Sequence, residues 1–464
     1  MRANLALPLF LLSEKKVTMH LFQDQVGEIT PDKEVHMIDP VILKGFRDSL
    51  PYEEIPKKKI IRRLEDGFAS FGFVPIDTPV LEYTSVLLGK GGGETDKQVF
   101  HFEDNGGREV AMRFDLTVPF ARFMAAHNPE LALPFKRYHI NKVWRGEKPQ
   151  KGRYREFIQC DFDIVGVDNA LADFEILAMM HNSFKLLGID GYTFHLSHRG
   201  LFNTFLEKQD LLDKSVDILR SVDKLRKIGQ EKVIEQLAEI TGDEEKAKLI
   251  LCYITSGENS SFEETLDKLT TLAGGPCPGS QRLSEIYELL SATGISERFI
   301  LDPSITRGLD YYTGIVYETF LDELPSLGSV CSGGRYNDLA SLYTKEKLPG
   351  VGSSIGLDRL LAGLEELKSP LLDNTASADI LLLHREEDRA KAFRTASLLR
   401  ESGIKVDVFL SPEKKMKQIF EYADKNRIPY SLTFTGELYN LKNHKSRETF
   451  SSEDLSEVIK AVLN

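Results

Sequence analysis

The sequence predicts a multidomain α/β protein: an α+β core, a helical insertion within it, and a small C-terminal α/β unit. Three observations predict this. Two β-like runs, 137–143 and 157–165, flank a basic connection containing glycine and proline. From about 203 to 300 the pattern turns to charged, leucine-rich helical segments. Beyond residue 378 short apolar runs alternate with helical ones, as in a small α/β domain. A chain of 464 residues is also too long for one ordinary core, and length alone suggests about three folding units.

In order, 1–39 reads as an N-terminal extension, and 40–202 with 301–368 as the core. The extension begins with an apolar run, 5–12, that is short for a membrane span and has no A-x-A-like cleavage site after it; Met19 is an alternative start. No later segment is apolar for long enough to cross a membrane. Ile60, Ile61, Leu64, Phe68 and Phe71 form a helical stripe over 57–71, stopped by Gly72. The extended segment 73–82 contains Pro75 and Pro79, which suit an edge or an interface. A mobile glycine-rich loop is expected over 89–97, then a hairpin over 99–117 turning at Asn105-Gly106. A helix follows at 170–187 and a strand at 192–198.

The insertion, 203–300, should contain helices at 230–240 and 262–272, interrupted at Gly274-Gly275-Pro276. Strand-like chain returns at 315–320, followed by a glycine-rich turn at Gly333-Gly334 and a helix at 355–367. Residues 369–378 read as a linker and 379–464 as the last domain, with strands at 379–384, 405–410 and 430–435 and helices at 387–401 and 412–425. Ser411-Pro412 is a good helix start and Gly403 a good stop.

The net charge of −12 argues against nonspecific nucleic-acid binding over the whole surface, though not against a local basic patch. Cys160, Cys252, Cys277 and Cys331 show no CxxC and no metal-ligand spacing. Reduced thiols acting as small buried apolar groups in a cytoplasmic protein are therefore expected.

The strand pair at 137–165 leads into Arg145 and Glu147 and carries Gln159, Asp161 and Asp163. An arginine beside carboxylates and an amide suits a substrate with phosphates at one end and an ammonium at the other. The loop between, with Lys148, Lys151, Arg153 and Arg155, suggests a second anionic partner. Arg145 beside Glu147 also reads as a surface ion pair, worth little by itself. Arg307 adds weight, because it precedes a glycine, Asp310, the pair Tyr311-Tyr312 and a strand. Arginine forks match phosphate oxygens, and aromatic pockets with hydroxyl tips suit a small polar ligand. Core packing accounts for one of the tyrosines equally well. Gly333-Gly334 permits close backbone approach, or simply a turn. The glycine-dense run 350–356 and Arg359 after it fit a ligand, or close helix–sheet packing with a solvated charge.

Neither GxxxxGK[ST] nor GxGxxG occurs. No Ser/His/Asp, Cys/His or zinc arrangement stands out, and His195 and His198 lack a third ligand. The site should work by positioning and charge stabilisation.

Together these segments, over residues 40–460, resemble a class II aminoacyl-tRNA synthetase of the histidyl-tRNA synthetase family. The stretch 137–166 looks like motif 2, and the strand–helix with Arg359 like motif 3. RGLDYYTGIVYE (307–318) and SGGRYNDL (332–339) resemble the two histidine-pocket signatures, and KGFRDSLP (44–51) the opening segment. QCDFDIVG (159–166) is close to the eukaryotic-like form. Two departures are the Gly91–Gly93 run and the tail NLKNHKSRETFSS (440–452).

The resemblance implies an antiparallel class II sheet flanked by helices and a ligase that joins L-histidine to tRNA-His through a histidyl-adenylate. It implies ATP and Mg2+, a cytoplasmic homodimer meeting through 57–71 and 75–79, and an anticodon-binding domain at 379–464. Arg145 and Arg359 would bind ATP phosphates, with Glu147 near the adenine and Arg153 meeting ATP or the acceptor end. Arg307 would contact the α-phosphate and the histidine carboxylate, so that Arg307 and Arg145 carry the catalysis. Asp115, Thr117, Gln159 and Asp163 would hold the histidine ammonium and carboxylate. Tyr311 and Tyr312 would line the imidazole pocket, with Gly333 and Gly334 as a wall. The alternative is the histidine-sensing regulatory subunit of ATP phosphoribosyltransferase. That relative should lack the last domain and usually loses motif-2 or motif-3 arginines, whereas Arg145, Arg307 and Arg359 are all present here.

Overall fold

The computed structural model describes residues 38–89, 98–305, 311–373, 375–411 and 413–463. The readings that fall on 1–37, on 90–97 of the glycine-rich loop, on Arg307 and Asp310 and on Pro412 lie outside the described residues. The chain divides into a unit ending at Leu43 and a second unit, Lys44–Asn464. Among the described residues, every helix and strand belongs to the second unit.

Helix α1 (Pro51–Ser70) starts with proline at its first position, and the Glu53 carboxylate accepts the Leu50 N–H. It begins six residues before the expected 57, because Pro56 sits within it rather than ending it. Its buried residues Ile60, Leu64 and Phe68 share one face by four-residue spacing. Then come β1 (Val74–Pro75), β2 (Leu81–Tyr83), α2 (Thr84–Leu88), β3 (His101–Glu103), β4 (Glu109–Met112) and α3 (Thr117–His127). β2, β4 and β3 form a small sheet, and the Asp104–Gly107 turn places Asn105-Gly106 at its centre as expected.

The long pair β5 (Phe135–Trp144) and β6 (Glu156–Val165) precedes α4 (Ala170–Leu186) and β7 (Tyr192–His198). A run of helices follows: α5 (Arg199–Lys208), α6 (Ser215–Val222), α7 (Leu225–Ile228), α8 (Gln230–Thr241), α9 (Glu244–Ile254), α10 (Phe262–Leu272) and α11 (Pro278–Ala292). Gly274 and Gly275, at φ +96 and +126, break the chain after α10. The core resumes with β8 (Phe299–Leu301), β9 (Ile315–Leu321), β10 (Cys331–Arg335), β11 (Gly350–Gly356) and α12 (Leu357–Glu366).

The main sheet has the order β1-β5-β6-β11-β10-β9-β7-β8 and is antiparallel from β5 to β7. One face carries Cys160, Phe162, Ile164, Val351, Ile355 and Tyr317 into a core completed by Phe68 of α1 and Ile176 and Met180 of α4. Helices of the α5–α11 run join the same core, and Arg282 of α11 pairs with Asp173 of α4 at 2.7 Å.

Gly333-Gly334 is not a turn but the middle of β10. A Cβ at Gly333 would lie 2.1 Å from the Gly352 carbonyl oxygen. The glycine is there for close strand approach, a need that leaves the same sequence trace as a turn.

The C-terminal part contains β12 (Ile380–Leu382), α13 (Arg389–Glu401), β13 (Val406–Val408), α14 (Met416–Lys425), β14 (Tyr430–Thr435), β15 (Leu438–Asn443), β16 (Thr449–Ser452) and α15 (Leu455–Leu463). Its sheet runs β13-β12-β14-β15-β16, with the first three strands parallel and the others antiparallel. Helix α14 begins at Met416, later than the expected 412, and the 440–452 tail pairs as a hairpin. All four cysteines are free; Cys160, Cys277 and Cys331 are buried as expected, but Cys252 is exposed. Among the described residues no helix is long and apolar enough to cross a membrane.

Candidate active site on the polar face of the main sheet

The face opposite α1 and α4 is polar because β5 and β6 alternate apolar and polar side chains in matched register. Arg137, Asp163 and Gly352 lie side by side across β5, β6 and β11, as do His139, Asp161 and Ser354, and then Asn141, Gln159 and Gly356. Burying charge is costly unless it is paired. Arg137 is fully buried; its Nη2 lies 2.7 Å from Asp163 Oδ2, and its guanidinium sits 4.2 Å from the Phe120 ring centre. The Tyr336 hydroxyl donates to Asp163 Oδ1 at 2.5 Å, so both oxygens of that carboxylate are engaged.

Arg113, also fully buried, donates from Nε to the Lys142 carbonyl at 3.0 Å and from Nη1 to the Thr78 carbonyl at 2.6 Å. His139 Nε2 lies 2.9 Å from Asp77 Oδ1. Burial, with Arg137 and Arg113 beside it, pushes the His139 imidazole down to about 3, which leaves the ring neutral. Asp115 Oδ1 accepts the Val118 N–H at 3.0 Å in the first turn of α3, where Thr117 is the first residue. Burial pushes the Asp115 carboxyl up to about 6, although Arg145 and Arg137 pull it down. Burial also pushes Asp161 up to about 7; Asp163 and Asp115 add repulsion, and Arg137 opposes them.

Seven buried groups keep polar atoms that make no hydrogen bond among the described residues. The acceptors are Asp115 Oδ2, Gln159 Oε1, Asp161 Oδ1 and Asp163 Oδ2, the last ion-paired to Arg137; the others are Arg113 Nη2, Arg137 Nε and Nη1, and His139 Nδ1. An unsatisfied buried polar atom costs about 1–3 kcal/mol, and native structures keep few of them. So many on one face mark a surface shaped for a small ligand that both donates and accepts.

At the other end of β5 and β6, Arg145 Nε donates to the Phe114 carbonyl at 2.9 Å, with its guanidinium 5.2 Å from the Phe157 ring centre. Arg153 is exposed, its Nη1 3.9 Å from Glu147 Oε2. Asp358 of α12 accepts the Ile158 N–H and an Arg47 guanidinium N–H, each at 2.7 Å. The connecting loop rests on α12: Lys151 pairs with Glu366 at 2.7 Å, and a Cβ at Gly152 would lie 3.4 Å from Arg359 Cα. Arg359 itself donates to the Ser329 carbonyl at 2.5 Å.

Tyr312 is buried and Tyr311 half-buried, with ring centres 4.8 Å apart and Tyr311 6.2 Å from Tyr336. A Cβ at Gly334 would lie 2.8 Å from the Tyr312 ring, whereas one at Gly333 would meet Tyr317 on the opposite face. His195 Nδ1 lies 2.7 Å from Asp302 Oδ2, and His198 accepts the Leu201 N–H at the start of α5, so both have structural partners. Among the described residues no group of three His, Cys, Asp or Glu is placed to hold a metal ion.

The structure thus brings Asp115, Gln159 and Asp163 to one face, with Tyr311 and Tyr312 linked to it through Tyr336. Sequence reasoning named Asp161 among the carboxylates of the strand pair but gave no role to Arg113, Arg137, His139, Ser354 or Tyr336. Polar residues at alternate positions of 137–141 were the available signal for two of these, Arg137 and His139.

Comparison with known proteins supplies the remaining finding. Residues 45–360 match the profile of the family described as Histidyl-tRNA synthetase. A "Histidine--tRNA ligase" from Treponema denticola is 52% identical over 85% of this chain and 89% of its own length. One of the same name from Rhodopirellula baltica is 48% identical over 84% and 88%. The crystal structure of histidyl-tRNA synthetase from Nostoc sp. PCC 7120 is similar with a TM-score of 0.81 and 30% identity, over 92% of this chain and all of that one.

Proposed function

The chain belongs to the histidyl-tRNA synthetase family, and from that premise we propose that the polar sheet face is where histidine and ATP react. The protein is a histidine–tRNA ligase: it activates histidine with ATP, releases pyrophosphate, and charges tRNA with the histidine. What supports this placing of the reaction above all is the cluster of buried donors and acceptors around Asp115, Arg137, Gln159 and Asp161.

The histidine ammonium is taken by Asp115, Thr117 and Gln159. Asp163, engaged on both oxygens, holds Arg137 and Tyr336 in place beside the imidazole pocket of Tyr311 and Tyr312. Hydrogen bonds to both ring nitrogens would reject apolar look-alikes strongly, since a buried polar group left unpaired is expensive. The histidine carboxylate attacks the α-phosphorus of ATP, and negative charge builds on a five-coordinate phosphorus. Arg145, Arg307 and Arg359 offset it, each donor of this kind being worth about 10²–10³ in rate. Pyrophosphate leaves, and the terminal ribose hydroxyl of tRNA-His then attacks the adenylate carbonyl, forming the ester as AMP and the hydroxyl proton leave. Glu147 lies toward the adenine, and Arg153, exposed on its loop, meets ATP or the acceptor end. Mg2+ bound with ATP would supply further neutralisation of the phosphate charge beside these arginines.

On this reading 40–202 and 301–368 form the catalytic core and 203–300 the insertion. The 369–378 linker leads to a 379–464 domain that reads the anticodon, where unstacked bases offer their edges. The protein works in the cytoplasm as a homodimer. The regulatory-subunit alternative is disfavoured by the retained Arg145 and Arg359 and by the C-terminal α/β part. The test is ATP–pyrophosphate exchange across the amino acids. Exchange with histidine alone is expected; histidine binding without exchange would transfer the reading to the sensor.

A further inference from the structure

Asp161 takes no part in that chemistry, yet it sits 1% exposed at the centre of the polar face, between His139 and Ser354. The Ser354 hydroxyl bonds its carboxyl, and Oδ1 makes no hydrogen bond among the described residues. A carboxyl so placed needs a reason, because a buried anion next to Asp163 and Asp115 suffers repulsion on top of its lost hydration.

The buried acceptors of this face with neither a hydrogen bond nor an ion pair among the described residues are Asp115 Oδ2, Gln159 Oε1 and Asp161 Oδ1; Asp163 Oδ2 also makes no hydrogen bond but is ion-paired to Arg137. Gln159 and Asp161 point the same way from β6, two residues and therefore about 7 Å apart along the strand. Asp115 is near enough to Asp161 for their charges to interact. An ammonium has three N–H donors, and a cation among these groups would offset the repulsion between Asp161, Asp163 and Asp115. Asp163 is the poorer candidate, since Arg137 and Tyr336 already hold both its oxygens.

We propose that Asp161 is a substrate-binding carboxylate that, with Asp115 and Gln159, receives the α-ammonium of histidine and makes the site select amines over desamino analogues. This rests on the reading of the face as the histidine site. A purely structural Asp161, holding only Ser354, would affect every ligand of the site alike.

The experiment uses the full chain and follows ATP–pyrophosphate exchange. It measures KM for histidine and inhibition constants for histidinol, which keeps the ammonium and ring, and for imidazolepropionate, which lacks the ammonium. If the parent protein shows no histidine-dependent exchange, the functional reading fails whatever Asp161 does. Given exchange, Asp161→Asn should weaken histidine and histidinol by about ten- to a hundredfold, as for a lost hydrogen bond to a charged group. Imidazolepropionate and ATP should stay within about twofold on the same ground. Equal weakening of all ligands, or no weakening of histidine, overturns the proposal. Asp161→Ser decides the same comparison if Asp161→Asn does not fold.

Discussion

Arg137 Nη2 and Asp163 Oδ2 lie 2.7 Å apart on neighbouring strands, both side chains almost fully buried. Fixing two opposite charges there costs hydration that their attraction only partly returns. What the pair secures is geometry: Asp163 is held so that Tyr336 can donate to its other oxygen. Removing one partner strands the other. Arg137→Ala should therefore lower unfolding free energy by about 3–5 kcal/mol, read by urea denaturation. A loss near zero would mean that water reaches this face freely.

The same carboxylate depends on a missing side chain. A Cβ at Gly352 would lie 1.8 Å from Asp163 Oδ1 and 2.9 Å from the Phe162 carbonyl oxygen, so the Asp163 side chain would have to move. Gly352→Ala should push the carboxyl off Tyr336 and Arg137, raising KM for histidine at least about tenfold at a stability cost of about 1–3 kcal/mol. Gly356→Ala on the same strand is the control, because its Cβ would have 3.7 Å to its nearest neighbour. Equal kinetics for the two variants would detach Asp163 from histidine recognition.

Stability should depend on pH through Asp161. Its carboxyl is raised to about 7 in the fold by burial, with Asp163 and Asp115 adding to it and Arg137 opposing, against about 4 unfolded. Between those values the folded state holds more protons than the unfolded one, so this group subtracts stability as pH rises. His139, lowered to about 3, runs the other way below neutrality. Asparagine cannot ionise, so the stability of Asp161→Asn relative to the parent should climb with pH up to about 7 and then level off. Parallel stability curves for the two proteins from pH 5 to 8 would show that Asp161 titrates normally.

Arg145 is half-buried and anchored to a backbone carbonyl rather than to a core carboxylate. Its removal breaks no ion pair with a core carboxylate among the described residues, and Asp115 keeps Arg137 as a cationic neighbour. Arg145→Ala should leave the unfolding midpoint nearly unchanged and cut exchange by about 10²–10³. Arg307→Ala should behave the same way. Near-parental exchange in either variant would remove that arginine from phosphate stabilisation.

Much of the fold could be read from the sequence where local chemistry alone decides it. Helix α10 spans the expected 262–272, with Ser261 and Glu264 capping each other's backbone N–H groups. β7 covers the expected 192–198. Reading failed where a residue answers to a distant neighbour. Gly333 looked like a turn because nothing local reveals that Gly352 and Tyr317 press on it. The helix expected from 57 in fact starts at Pro51 and runs through Pro56, because the apolar stripe marks the buried face and not the first turn. In the site, Asp115 and Gln159 were found through motifs. Arg137 and His139 were missed because alternation shows that residues share a face without showing which face is buried.

The dimer is the remaining expectation, and exposed apolar side chains give it a physical basis. Val74, Val80, Leu81 and Tyr83 are each more than a third exposed, and β1 is a two-residue edge strand containing Pro75. Pro75 lacks an N–H, so this edge is poorly suited to strand addition; side-chain packing is the better way to cover it. The prediction is a dimer at micromolar concentration by sedimentation, with Leu81→Asp shifting the protein toward monomer by placing a charge in an apolar contact. Because β2 pairs directly with β4, which leads to Arg113 and Asp115, loss of the dimer should also lower exchange. A parent sedimenting as a monomer with full exchange would show that the site needs no second copy.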